Sequence, residues 1–504
     1  MSPTSVNIPL RQRLPLRFIH ASGLFLDKTI EQVSEMPTIL ESRFLDLSQR
    51  ATLRLFRKAI DESVDFVILS GDVLNAEISP PGLFLFLIDQ FEQLKKAGIT
   101  VFWAGSEFDS PEDLPIAFPL PDNVHLFPAN SIQEYFFKRV NSNVISDKEF
   151  SGNPLARIVG MSRNQRQRRI RSNEFPIDPG RLFTIAVANG DVDPDSLSQR
   201  RIDYWAMGGI NQRQTYLGNP RKKGTDGKPI QLDPPDLPDG TKRDRKDLPP
   251  PPFTLHYPGT TVARSPDMLG QFGATLVEVN WGEEPILTFF TTSPVRWVND
   301  QITLDAEANL ENLTDEIQSR IKNYQNTQKD EDLMISWFID IPPTTQLAAN
   351  LRKGIITNNL LNELRKEYGQ GNQITWSVDI SILLPDMLPK QLYEQQTIAG
   401  DFLRAIKHHQ NEPEQTIDLS VYLPTKLREL DQEELDNGGF DKMLLADKII
   451  NTESGEKKLV QSTDQITRKE EILRKAAVTG MELLTNENQN QFTINLKKPE
   501  DNTH

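Results

Sequence analysis

Short apolar runs recur along the first hundred residues, separated by stretches with helical spacing. Phe18 and Ile19 form the first run and lead into a turn at Ala21–Gly23. Leu53, Phe56 and Ile60 then share one face at helical spacing, which predicts an amphipathic helix. Phe66–Leu69 is a second short run, closed by Ser70–Gly71. Phe84, Leu87, Phe91 and Leu94 mark a further helix that Gly98 should stop in the left-handed cap position. Thr100–Trp103 reads as the next strand. Strands alternating with helices in this way predict parallel βαβ units, whose ligands collect beyond the strand C-terminal ends. The loops that open at Gly23, Asp72 and Ser106 all lie at such ends.

Two later strands also run into polar loops. Leu182–Ala188 leads to Asn189–Gly190, and Tyr204–Met207 leads to Gly208, Gly209, Ile210 and Asn211. Past residue 300 the pattern changes: strands are expected over Met334–Ile339 and Ile374–Leu383. Helices are expected near Leu347–Leu351, near Leu360–Glu367 and around Phe402 and Ile406. Leu473, Ala477, Gly480 and Leu484 are spaced to line one face of a helix in the polar C-terminal stretch. Residues 218–252 are rich in Pro, Lys, Asp and Gly. With so few apolar groups they cannot offset the entropy of ordering, and a disordered surface insertion is expected.

Composition narrows this picture. A chain of 504 residues is long for one domain. We expect a first domain over 1–300, a smaller α/β domain over 301–412 and a helical region over 413–504. No run approaches the ~18 apolar residues of a membrane span, and Pro3, Pro9 and Pro15 interrupt any signal-like pattern at the start. The absence of cysteine excludes disulfides and thiolate chemistry, so a cytoplasmic protein is expected. A net charge of −15 argues against a uniformly basic nucleic-acid surface but leaves room for a local one. Arg163, Arg166, Arg168, Arg169 and Arg171 form the densest basic run. Arginine forks match phosphate oxygens, so the run reads either as a phosphate-contacting strip or as a solvated face.

The loop sequences carry a resemblance. R-F-I-H-A-S-G-L-F-L-D, V-D-F-V-I-L-S-G-D-V-L-N and G-I-T-V-F-W-A-G-S-E-F-D-S follow one another from Arg17 to Ser110. They are followed by A-N-G, D-Y-W-A-M-G-G-I-N, H-Y-P-G-T-T-V-A-R-S and F-G-A-T-L-V-E-V. Over about residues 16–300 this order resembles the calcineurin-like metallophosphoesterases, in particular the SbcD-type and YhaO-like DNA repair exonucleases. The resemblance implies a four-layer α/β β-sandwich, a capping α/β domain and a helical C-terminal segment.

It also implies a site for two metal ions, held by an Asp and a His, a bridging Asp, an Asn and His pair, and three further histidines. Carried over position by position, these become Gly23, Phe25, Asp72, Ser106, Glu107, Asn189, Gly209 and Asn211. Asp72 alone keeps its identity. Glycine and phenylalanine cannot ligate, and the chain's six histidines cannot refill the set. His20, His125 and His256 each read as strand histidines.

The resemblance therefore implies a pseudoenzyme with no metal cofactor, serving as scaffold or regulator of an SbcC/YhaN-like SMC-type ATPase, with DNA contact and homodimerisation left open. Two alternatives stand beside it. In one, Asp72 with Glu107 and Asp109, and with Asp191 or Asp193, rebuilds an all-oxygen site suited to Mg²⁺ or Ca²⁺, in an active phosphodiesterase or exonuclease that would use Mn²⁺ or Mg²⁺. In the other, the cleft senses a nucleotide or phosphate without cleaving it.

Overall fold

In a computed structural model, the described residues are 15–30, 38–139, 144–146, 154–163, 171–178, 182–219, 251–280, 283–342, 345–383, 393–394, 398–411 and 476–477. The chain opens with β1 (Leu16–Ala21), α1 (Thr38–Phe44), α2 (Leu47–Asp61), β2 (Phe66–Leu69), α3 (Pro81–Lys96), β3 (Thr100–Trp103) and β4 (Val124–Leu126). There follow β5 (Gln133–Lys138), β6 (Val144–Ser146), β7 (Ala156–Gly160), β8 (Phe183–Asn189), the single turn α4 (Pro194–Leu197), β9 (Tyr204–Gly208) and β10 (Gln214–Gly218). Next come β11 (Phe253–Tyr257), β12 (Gly273–Val279), β13 (Ile286–Thr291), β14 (Val295–Thr303) and α5 (Leu310–Thr327). The last elements are β15 (Asp332–Asp340), α6 (Gln346–Arg352), α7 (Ile355–Tyr368), β16 (Thr375–Ile382) and α8 (Ile398–Asn411).

Two large sheets dominate. One has the order β13-β12-β1-β2-β3-β4 and the other β10-β11-β9-β8-β7-β5-β6. The βαβ run makes β1 to β4 parallel, while β12 closes antiparallel on β1 with Leu16 opposite Val279. In the second sheet β7, β8, β9 and β11 are parallel. The inner faces share one apolar layer that includes Phe18, Phe66, Phe102, Phe137, Ile185 and Tyr204. On the outer face of the first sheet, α2 and α3 pack over Val67, Val101 and Trp103. Sheets covered on both faces explain why β2 and β3 read as continuous apolar runs rather than alternating ones.

Cap chemistry sets α3 as the sequence predicts. Leu83, Phe84, Leu87, Phe91 and Leu94 are buried, and Gly98 sits at φ +76° just past the end. Gly98 N donates to Lys95 O at 2.9 Å and Ile99 N to Leu94 O at 2.9 Å, the paired bonds of a Schellman motif. The reading of α2 needs a correction. Leu53 is 43% exposed, and the buried face instead runs through Ser48, Ala51, Thr52, Leu55, Phe56 and Ala59. Small residues share this face with Leu55 and Phe56, so the large apolar side chains alone do not mark its full width.

The chain separates into two compact units, one of residues 1–300, 318–337 and 361–379 and one of 301–317, 338–360 and 380–504. In the second, the Thr345 hydroxyl caps α6 by accepting from Ala348 N at 3.2 Å. Residues 220–250 of the insertion expected over 218–252, the C-terminal helix around Leu473, Gly480 and Leu484, and Arg166, Arg168 and Arg169 lie outside the described residues. Among the described residues no helix is long and apolar enough to cross a membrane.

Candidate functional site

The loops leaving β1, β2, β3, β8 and β9 converge at one end of the two sheets, all in the first unit. Backbone contacts knit them together. Gly23 N donates to Gly71 O at 3.0 Å, and Phe25 N donates to Asp72 O at 3.0 Å. Gly190 N donates to Gly208 O at 3.0 Å. The approach is close enough that a methyl group on Gly208 would come within 1.7 Å of Ser70 O. Side chains at this seam are excluded by backbone, not merely absent.

Phe25 and Asp72 both hold left-handed backbone, at φ 46° and 59°. Such geometry is uncommon outside glycine and signals a locally over-determined structure. At Phe25 the ring is also engaged. The Arg264 guanidinium lies 4.2 Å from its ring centroid and the Lys28 ammonium 5.0 Å. Two cations thus flank an aromatic ring at a position where the resemblance placed a metal ligand, and Lys28 also lies 5.7 Å from the Phe108 ring.

Asp72 is half-buried, and its Oδ2 accepts from Asn189 Nδ2 at 3.0 Å. Burial pushes its carboxyl above the usual range, while the hydrogen bonds from Asn189 and Ser106 and the Arg163 charge pull it back. Asn189 is itself buried and also donates to Ser70 O at 2.9 Å.

Asp109 is fully buried, and both its oxygens are occupied by protein donors. Oδ1 accepts from Asp72 N at 3.2 Å, Ser106 N at 2.7 Å and the Ser106 hydroxyl. Oδ2 accepts from Val73 N at 3.1 Å and Trp103 Nε1 at 2.9 Å. Burial and the neighbouring Asp72 charge raise this carboxyl to about 6, against the pull of its donors. Asp109 is therefore the clasp that joins the loop after β2 to the loop after β3.

Glu107 pairs with Arg163 at 2.9 Å. Arg163 N in turn donates to Gly105 O at 2.8 Å, so this arginine belongs to the loop cluster rather than to a free strip. Arg171 is exposed beside a short 3₁₀ turn. Asp191 and Asp193 are exposed, and Asp193 caps α4 by accepting from Asp195 N at 3.2 Å. Gly209 is left-handed at φ +89°, and the carbonyl of exposed Asn211 accepts from Thr260 N at 3.1 Å. Among the described residues no group of three or more His, Asp or Glu side chains is arranged to hold a metal ion. Asp72, Glu107 and Asp109 lie in adjoining loops, but with Asp191 or Asp193 they form no metal-holding group among the described residues.

His20, His125 and His256 sit in the sandwich. His20 is fully buried between Tyr204 OH at 3.1 Å and Ser70 Oγ at 2.9 Å. Burial, and then the neighbouring His256, lowers its pKa well below the ordinary imidazole value. His256 lies between the hydroxyls of Thr215 and Thr275, each at 2.8 Å, and burial with the Arg213 charge lowers it to about 4. His125 packs its ring 4.9 Å from that of Tyr135.

Sequence reasoning missed Arg264 and Lys28. Arg264 is the penultimate residue of the quoted H-Y-P-G-T-T-V-A-R-S stretch, where a lone arginine after Val262 and Ala263 was a usable signal. Lys28 carried none.

Comparison with known proteins adds one relation. The chain is 31% identical over 207 residues to a Bacillus subtilis (strain 168) protein described as an uncharacterized metallophosphoesterase, YhaO. The match covers 40% of this chain and 49% of the relative, so the chain spans about half the length of the curated protein it matches. No family model matches the chain. The relation and the mixed α/β sandwich together support a metallophosphoesterase-family relationship.

Proposed function

We propose, with that relationship as the premise, that the chain is a metallophosphoesterase-fold protein that does not hydrolyse phosphoesters. It acts instead as scaffold or regulatory subunit for an SbcC/YhaN-like SMC-type ATPase in DNA repair or DNA metabolism. One observation carries the first half. At the strand ends where two cations would sit, Asp72, Asp109, Glu107 and the Asn189 amide are already committed to one another, to Arg163 or to the backbone.

Two-metal phosphoester hydrolysis needs two cations held about 3.5–4 Å apart by carboxylates and neutral imidazoles, with positions left open for substrate. The residues present do not fit that pair. Asp109 spends both oxygens on five protein donors, and Asp72 is held by the Asn189 amide. Glu107 is paired with Arg163, and Phe25 is flanked by Arg264 and Lys28. Positive charge is supplied by side chains, which supports a site that needs no metal. The buried histidines are engaged elsewhere, between the sheets. The ATPase partner rests on the sequence resemblance.

The test is a calorimetric Mn²⁺ and Mg²⁺ titration of the purified chain beside Asp72→Ala, with a phosphodiester hydrolysis assay on the same samples. We expect no metal-binding heat above the variant and no turnover. Saturable binding that depends on Asp72, accompanied by hydrolysis, would overturn the reading. For the partner, an SbcC/YhaN-like ATPase co-expressed with the chain is expected to co-elute with it, and separate elution would remove that half.

A further inference from the structure

Beside the strand-end loops lies a polar cleft of about 510 Å³, lined by Asn211, Arg213, Pro258, Leu269, Gln271 and Arg296 among others. That is within the range of small-molecule sites, roughly 300–1,000 Å³. It adjoins the candidate site through Thr260. Thr260 lines the cleft, and its Cγ2 lies 2.8 Å from where a methyl on Gly23 would stand. The two loops forming the floor meet so tightly that only glycine fits at Gly259, at φ +78°. A side chain there would come within 2.8 Å of Asn211 O.

Two guanidiniums face this space in a chain whose net charge is −15. Each is held by a contact that leaves part of its fork unused. Arg213 stacks on Phe289 with its guanidinium carbon 4.2 Å from the ring centroid, and no carboxylate pairs with it among the described residues. Arg296 is anchored on Glu331 at 2.6 Å, and the Thr291 hydroxyl fixes that carboxylate in turn at 3.0 Å. Fixing both forks in advance removes part of the ordering cost of binding. The side-chain amides of Asn211, Gln212 and Gln271 add donors with no protein partner among the described residues. Pro258, Leu269 and Phe272 supply an apolar wall.

We infer that this cleft binds the phosphate of a small organic phosphate ester of nucleoside monophosphate size, without metal. Arg213 and Arg296 take the phosphate oxygens, as planar forks do, and the apolar wall takes the body of the ligand. This deepens the non-hydrolytic reading by naming what the fold holds, and its test is independent of that reading.

The experiment is calorimetry on the full chain in excess EDTA, titrating AMP, inorganic phosphate and a short single-stranded oligonucleotide in turn. AMP is expected to bind saturably, and inorganic phosphate at the same site more weakly. Arg213→Gln is expected to weaken AMP roughly tenfold or more, because a charge-assisted contact is lost. Arg213 is exposed, so this variant is expected to fold, and its melting temperature checks that. Gln271→Leu, a second exposed position, is expected to weaken AMP by a smaller factor.

No saturable AMP binding, equal binding to the wild type and Arg213→Gln, or binding of the oligonucleotide alone would each overturn the inference. None of these outcomes bears on hydrolysis. Conversely, Asp72-dependent Mn²⁺ binding would sink the non-hydrolytic reading and leave the EDTA result standing.

Discussion

Replacing Asp109 with alanine strips the acceptors from three peptide N–H groups, one indole N–H and one hydroxyl at once. The distances of the N–H bonds, 2.7–3.2 Å, show that all four are formed. Each buried donor left without a partner costs ~1–3 kcal/mol. The Ser106 hydroxyl can turn elsewhere, and water can reach the half-buried Asp72 side. Three orphaned donors therefore remain as the minimum, and the expected loss is about 3–9 kcal/mol. That is a large part of the ~5–15 kcal/mol by which folded domains are stable. In a thermal melt it corresponds to a fall on the order of 10 °C.

Asp109→Asn should be milder yet still harmful, since its amide must point donors at donors on one side of the clasp. Glu107→Gln is the control. It breaks an ion pair whose carboxylate side is 39% exposed, so the expected cost is below ~1 kcal/mol. The assay is circular-dichroism melting of the three variants beside wild type. A melting point for Asp109→Ala within a couple of degrees of wild type, or equal losses for Asp109→Ala and Glu107→Gln, would refute the clasp. It would return Asp109 to the pool of available ligands.

Two further outcomes follow from the same packing. His256 is held neutral down to about 4, whereas an unfolded imidazole titrates near 6.5, so the unfolded chain binds the extra proton. The stability this histidine lends is present above 6.5 and lost as pH falls toward 4, by at most about 3 kcal/mol. His256→Gln should flatten the acid limb of a denaturant-unfolding series, and an unchanged slope would contradict the burial argument. Gly23→Asp would force a side chain at φ +62° to within 2.8 Å of Thr260 Cγ2 and 2.9 Å of the Phe25 ring. A loss of ~1–3 kcal/mol is expected, with no gain of Mn²⁺ affinity. A melting point equal to wild type would show that the loop can reopen.

The parallel core was legible from the residues because its signals are local. Short apolar strands, the helical spacing of Phe84, Leu87, Phe91 and Leu94, and the cap at Gly98 all depend on neighbours in sequence. The Leu182–Ala188 and Tyr204–Met207 runs likewise became β8, shifted by a residue, and β9, longer by a residue. The helix α5 went unread although its signal is local: Leu313, Ile317 and Ile321 recur at helical spacing, and all three are buried.

The site was legible as positions but not as contacts. That Asp109 would meet Trp103 and Val73, or that Arg264 would lie on Phe25, depends on pairs brought together by folding alone. Arg163 shows the same limit. It belonged by spacing to an arginine run, and its Glu107 partner lies far off in sequence. Arg166, Arg168 and Arg169 lie outside the described residues.

The layer between the two sheets is not wholly apolar, and this bears on how the sheets find their alignment. His20 on β1 bonds Tyr204 on β9 at 3.1 Å, and His256 on β11 bonds Thr275 on β12 at 2.8 Å. Each bond crosses from one sheet to the other. Greasy faces alone would tolerate sliding past one another, since one apolar contact replaces another at little cost. A slip of one residue, ~3.3 Å along a strand, would here break both bridges and strand four polar groups in the dry interior. The two bridges thus act as dowels: they add little to adhesion but exclude the near-miss stackings, and so hold the strand ends, with their loops, in a single alignment.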